Sequence, residues 1–274
     1  MGTLFLVATP IGNLEDITLR GLRLLSQVGL IAAEDTRRTR QLLTHFQIVT
    51  PVISYHEHNK LARLDRILQA LELGDVALVT DAGTPLISDP GHELVQSVLA
   101  AGHDVSPVPG ASAVISALVV SGLPTDSFVF LGYLPRRAVE RRRWLRDLAH
   151  ETKTLVLFEA PHRLRASLQD LRDTLGADRP AVVCRELTKI HEQVVRGDLA
   201  TLQQHFERNE PRGECTLVIA GAQPAQPAWD AAQVRQAVER HRQQGMTASQ
   251  AARTVAAESG LPRATVYQMA MEER

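Results

Sequence analysis

Aromatic residues make up only 4% of this 274-residue sequence, and it has two cysteines, Cys184 and Cys215. With so few rings, the cores must be built from Leu, Val, Ile and Ala, which the 44% hydrophobic content can supply. Two cysteines make neither a disulfide framework nor a zinc-ligand set; they read as buried, reduced thiols of a cytoplasmic protein. No apolar run approaches the roughly 20 residues that cross a bilayer. The first residues, MGTLFLVATPIGN, lack the basic leader and apolar stretch of a signal peptide. Neither GxxxxGK[ST] nor GxGxxG occurs, so an ordinary nucleoside-triphosphate loop and an ordinary Rossmann methyl-donor turn are both excluded. His56 and His58 are the nearest approach to a metal pair, but no third ligand accompanies them, and no metal is expected.

Net charge is −1, so the chain as a whole is no polyanion binder, but its basic residues cluster. Arg136, Arg137, Arg141, Arg142, Arg143 and Arg146 fall within eleven residues, opposed by Glu140 alone. Arg37, Arg38 and Arg40 form a smaller group. The planar guanidinium fork matches phosphate oxygens, so Arg136, Arg137, Arg142 and Arg143 are candidates for phosphate binding. Tyr133 is placed to stack on a base, and His56 and His58, with Glu57 and Asn59, are candidates to line a substrate cleft.

Short apolar runs at 3–8, 31–33, 76–79 and 105–108 alternate with helical spacings such as Leu61, Leu64, Leu68 and Leu71. That alternation predicts a mostly parallel α/β sheet. The pattern restarts after Gly122-Leu-Pro124, with strands expected at 128–131, 154–158, 181–184 and 215–219. Gln223 to Pro227 reads as a linker. The expected organisation is an α/β domain at 1–122, a second at 123–223, and a linker with a helical extension at 224–274. Thr247 to Glu272 has the outline of a helix-turn-helix broken at Ser259–Pro262.

Parallel sheets bind ligands beyond the carboxyl ends of their strands. Three loops there pair Gly with Pro: Thr9–Asn13, Asp81–Gly91 and Pro109–Ser112. Such loops hold a fixed bend that a ligand can approach closely. Loops at the strand ends also carry carboxylates. Glu34, Asp35, Asp81 and Asp89 are candidates for a base, with Asp35 and Asp81 preferred and Asp89, before Pro90, read as structural.

The motifs VATPIGNLEDIT (7–18), AAEDTRRT (32–39), SYHEHN (54–59), TDAGTPLISDPG (80–91), PVPGASA (107–113), FLGYLPRR (130–137), LFEAPHRL (157–164), CRELTK (184–189) and RGECTLVI (212–219) lie in this order. Together they resemble the tetrapyrrole methylase superfamily, in particular its branch of 16S rRNA 2′-O-ribose methyltransferases that modify a cytidine in the decoding region. The resemblance implies a two-domain α/β fold with S-adenosylmethionine in the interdomain cleft, no metal, a homodimer, and rRNA within the small ribosomal subunit as substrate. It also implies donor contacts from Pro10, Gly83, Thr84, Pro85, Ile87, Ser112, Ala113, Glu159 and Leu187. Thr84 departs from the superfamily's acidic turn residue, so that contact must come from a hydroxyl or the backbone. Two alternatives stay open at this point. One is methylation of a tetrapyrrole such as a precorrin; the other is a non-catalytic nucleic-acid-binding regulator using the terminal helices.

Overall fold

The computed structural model describes residues 2–56, 60–223 and 229–271. It comprises two compact units, Met1–Ala222 and Gln223–Arg274.

The first unit holds two sheets. Strands β1 (Thr3–Val7), β2 (Leu30–Ala33), β3 (Val52–Ser54), β4 (Val76–Val79) and β5 (Asp104–Val108) pair in the order β3-β2-β4-β1-β5, parallel throughout. Helices α1 (Leu19–Gln27), α2 (Thr36–His45), α3 (Lys60–Leu73) and α4 (His92–Ala100) make the crossovers. Side chains alternate across the sheet. Leu4, Val76 and Leu78 join Ile67, Leu71, Leu94 and Val98 on one face. Val7, Ala77 and Val79 join Leu25, Leu42 and Leu43 on the other. Helix α2 and strand β3 were not legible in the sequence. The helix buries only Thr39, Leu42 and Leu43, and the strand is three residues at an edge.

The second sheet contains β6 (Phe128–Tyr133), β7 (Thr154–Glu159), β8 (Pro180–Arg185), β9 (Gln193–Asp198) and β10 (Cys215–Ile219), ordered β6-β7-β10-β8-β9. Here the mostly parallel pattern gives way: only β6 and β7 run parallel, and the other three pairings are antiparallel. The cause lies in the connections. A short loop joins β8 to β9 with no crossover helix, so those strands form a hairpin. The chain then returns through α8 (Leu199–Arg208) and inserts β10 at the centre. Leu155, Leu157, Val183 and Leu217 pack with residues of α7 (Pro161–Leu175) and α8. Val156, Val182 and Val218 pack instead with Val114, Ala117 and Leu118 of α5 (Ala113–Ser121) and with Ile11. Helix α5, which follows the first sheet, is therefore covered by the second.

Among the described residues, the second unit is three helices, α9 (Ala231–Gln243), α10 (Ala248–Ser259) and α11 (Arg263–Met271). Capping boxes at Asp230/Gln233 and Thr247/Gln250 start the first two. Gly260, at φ 71°, closes α10 in a left-handed cap that a residue with a Cβ adopts at a cost. Val234, Ala237, Ala251, Val255 and Val266 form its small core.

Candidate active site

The Gly/Pro loops converge between the two sheets of the first unit. Gly83 and Thr9 form an isolated antiparallel bridge, each N–H donating to the other's carbonyl at 2.9 Å. Gly83 sits at φ 84°, and a Cβ there would meet Ile11 Cγ2 at 3.4 Å. The Thr84 hydroxyl donates to the Ala111 carbonyl at 3.3 Å, tying this turn to the loop after β5. Thr in place of an acid thus serves as a brace. Among the described residues, four of the five non-glycine residues with positive φ lie in two loops: Leu86 and Ser88 after β4, Glu186 and Thr188 after β8. Each costs about 1–3 kcal/mol, and such strain gathers where a ligand must be gripped.

Two adjoining clefts result. The first, of about 260 Å³, has an apolar side of Ile11, Ile87, Val114 and Phe158. Its polar side carries Glu34, Asp81, Asp89 and Glu214 against a single cation, Arg38. The second, of about 430 Å³, is bordered by Pro10, Gly12, Gln41, Leu42 and Lys189. Ile11, Arg38, Asp81, Ala82 and Glu214 border both. Together they fall in the ~300–1,000 Å³ range of small-molecule sites. An apolar wall facing an acidic one suits S-adenosylmethionine, whose adenosyl part is flat and whose sulfonium is a cation.

The candidate residues separate by position. Gly83, Thr84, Ile87, Ser112 and Ala113 line the first cleft, with Ser112 also accepting the Ile115 N–H as the N-cap of α5. Pro10 borders the second cleft. Pro85 follows Thr84 in the same turn. Leu187 is buried among Ile11, Val114 and Val182, in the packing that joins the sheets. Glu159 is 1% exposed; it accepts from the Ala160 N–H and pairs with Arg163 at 3.2 Å, bracing the start of α7. Neither of these two lines a cleft.

The carboxylates also sort themselves. Asp35 caps α2 through the Arg37 N–H and pairs with the Arg37 guanidinium at 3.1 Å. Those hydrogen bonds hold it below the usual carboxylate range. Its carboxylate lines neither cleft, although its backbone N–H donates to Asp81 Oδ1 at 3.0 Å. Asp81 stands at the seam of the two clefts, 3.4 Å from Arg38. Burial, then the nearby Glu34 carboxylate, pushes it above its ordinary value, against the pull of the Asp35 N–H and Arg38. Thr80 Oγ1 lies between Glu34 Oε2 (2.8 Å) and Asp89 Oδ2 (2.6 Å). Asp89 faces the cleft as well as its own turn.

Glu214 and Lys189 were missed by reading the strand ends, and they pair at 3.4 Å across the mouth. Both lie in motifs quoted above, RGECTLVI and CRELTK. Cys215, beside Glu214, faces the first cleft with its thiol pushed up to about 12 by burial, which leaves it unreactive.

Tyr133 borders the first cleft, 5.5 Å from the Phe158 ring. Burial and the carboxylates of Glu214, Asp89 and Glu159 raise its phenol, keeping it a neutral donor. Beyond it, Arg136 and Arg137 precede α6 (Ala138–Asp147), where Arg142 and Arg143 also lie; all four are exposed. Arg141 is not. It is 4% exposed and paired with Asp170 of α7 at 2.6 Å. Its guanidinium reaches the carbonyls of Pro135 and Arg136, and that of Arg163 reaches those of Leu134 and Pro135. One buried and one half-buried arginine thus hold the segment that displays the exposed ones. His56 follows β3, half-buried, and lines neither cleft; Glu57, His58 and Asn59 lie outside the described residues. Among the described residues, no group of three or more His, Cys, Asp or Glu side chains has the arrangement to hold a metal ion.

Residues 3–203 match the tetrapyrrole (corrin/porphyrin) methylases. The chain belongs to the tetrapyrrole methylase family. Like its family, this methylase is S-adenosylmethionine-dependent. Its residues 228–274 match the RsmI C-terminal HTH domain. Several relatives are named ribosomal RNA small subunit methyltransferase I. One from Synechocystis sp. is 52% identical, covering 99% of this chain and 98% of its own. Another from Halalkalibacterium halodurans is 44% identical, covering 99% and 96%. The fold is that of cobalt precorrin-4 methyltransferase (TM-score 0.61, 20% identity, covering 80% of this chain and 94% of that one). Diphthine synthase shares it too (TM-score 0.60, 16% identity, covering 80% and 90%). No helix among the described residues is long and apolar enough to cross a membrane.

Proposed function

We propose that this methylase transfers a methyl group to the 2′-hydroxyl of a cytidine in the decoding region of 16S rRNA. It acts in the cytoplasm, on the small ribosomal subunit, as a homodimer. The observation that carries the chemistry is Asp81 at the seam of two clefts. One cleft suits the donor, and the other offers Arg38, Gln41 and Lys189 to a nucleotide. The near-full-length relatives, all named for ribosomal RNA, favour RNA over a tetrapyrrole.

The bound donor supplies an electrophilic methyl on sulfur. The chain's part is to hold the acceptor hydroxyl in line and take its proton. Orientation accounts for up to about 7–11 kcal/mol of barrier lowering. Asp81 takes the proton: its raised affinity for protons makes it a better base than Asp35, which Arg37 holds low. Incubation with labelled donor and either small subunits or naked rRNA, followed by mapping of the label, tests this reading. Label on a base, or on no RNA, would overturn it.

The exposed arginines supply the grip. Changing Arg136, Arg137, Arg142 and Arg143 together to Ala should flatten the slope of log K against log salt by up to roughly 3. An unchanged slope in filter binding would return them to solvent. The homodimer has a candidate face on α5, where Ile115, Val119 and Val120 are 48%, 65% and 38% exposed. Sedimentation velocity of the wild type against Val119→Glu reads it: a dimer unaffected by the change would exclude that face.

A further inference from the structure

Thr80 presents a problem of hydrogen counting. Its Oγ1 is within hydrogen-bond distance of Glu34 Oε2 and of Asp89 Oδ2, at 2.8 and 2.6 Å. A hydroxyl has one hydrogen, and an ionised carboxylate has none. If both acids were ionised, Thr80 could donate to one, and the other contact would set two hydrogen-free oxygens against each other. Both contacts are satisfied only when one carboxyl carries a proton and donates to Thr80.

The surroundings select Asp89. Burial is the largest influence on it, with Glu34 and Asp81 adding to the rise and the Thr80 hydrogen bond opposing it; the outcome is about 6. The groups facing it come from several elements: Glu34 after β2, Arg38 on α2, Asp81 in its own loop, Tyr133 on β6 and Glu214 before β10. Arg38 is the single cation among them, and Asp81 already engages it. An added positive charge in this cleft would meet a surplus of carboxylates.

We propose that Glu34, Thr80 and Asp89 hold one shared proton in the donor-free protein and release it to solvent when a cationic methyl donor binds. The inference rests on the methyl-transfer reading of this cleft. The released proton is replaced, as neighbouring charge, by the sulfonium. After transfer the donor is a neutral thioether, and the triad takes a proton back from solvent. Asp89, read from the sequence as a turn residue, becomes a positioning residue that distinguishes donor from product by charge.

The test is calorimetry in buffers of different ionisation enthalpy at pH 6, with S-adenosylmethionine and S-adenosylhomocysteine. Both ligands carry the same amino and carboxylate groups, so their difference isolates the sulfonium. The wild type should release about half a proton more with the sulfonium ligand, because a group titrating near 6 is half-protonated there. Its sulfonium affinity should weaken roughly tenfold from pH 7 to pH 5, since the bound proton competes with the donor. Asp89→Asn should bind the donor with no extra release and a flatter pH profile. Equal proton counts for the two ligands, or undiminished release by Asp89→Asn, would overturn the proposal. If neither ligand binds, it is the methyl-transfer reading that fails. Difference potentiometric titration of wild type against Asp89→Asn then decides the proton alone: a missing group near 6 upholds it, and identical curves end it.

Discussion

Asp81→Asn should slow methyl transfer by about 10²–10⁴-fold, the usual worth of a positioned base, while donor affinity stays within a few-fold. The two readouts separate because Asp81 borders both clefts, whereas the donor's apolar wall of Ile11, Ile87 and Val114 is untouched by the change. Asn keeps an oxygen for the Asp35 N–H, so the loop should hold its shape. Single-turnover methylation with saturating donor is the measurement. A normal rate would remove Asp81 from the chemistry, and a matching collapse of donor binding would make it a donor ligand. The same assay on Asp35→Asn should show a far smaller loss, because that carboxylate caps α2.

Arg141→Ala should cost stability instead. Removing one partner of a buried ion pair leaves the other charge uncompensated, at about 3–5 kcal/mol. Asp170 would be that charge, with a side chain only 10% exposed and only the half-exposed Arg142, 3.9 Å away, left to face it. For a unit of this size the loss corresponds to a fall in Tm of roughly 10 °C. The double change Arg141→Met with Asp170→Leu should recover most of it, since a packed apolar pair often equals or exceeds a buried ion pair. It should not recover RNA affinity, because the carbonyls of Pro135 and Arg136 would still lack the guanidinium that holds them. Thermal melts and RNA binding on the same three proteins separate the two roles. Full recovery of both would reduce Arg141 to a packing residue.

Arg141 also marks a boundary of what a sequence can convey. Within a run of arginines, nothing distinguishes the one whose partner lies 29 positions later, on another helix. Four of the five strands of the first sheet were readable because apolar runs such as Val76–Val79 are buried on both faces. Its ligand loops were readable because Gly83 and its neighbours need backbone shapes that Gly and Pro supply. Glu214 was not, for a topological reason. Looking beyond the carboxyl ends of strands assumes parallel strands. Strand β10 runs antiparallel, with Cys215 opposite Glu159 and Arg185, so it presents its amino end where β7 and β8 finish. Leu187 and Glu159 show the converse: a strand-end position in the sequence, with a side chain turned into the packing.

Gly12 is a small feature of the second cleft with a consequence in time. A Cβ there would collide with the stem of Lys189, and would come within 2.8 Å of Thr188 Oγ1 and 3.1 Å of the Leu187 carbonyl. The loops after β1 and β8 therefore already touch, with no side chain between them at this point. A ligand meets a slot whose far end is built before it arrives. Arrival then differs little among ligands that fit, and how long each one stays is what tells them apart.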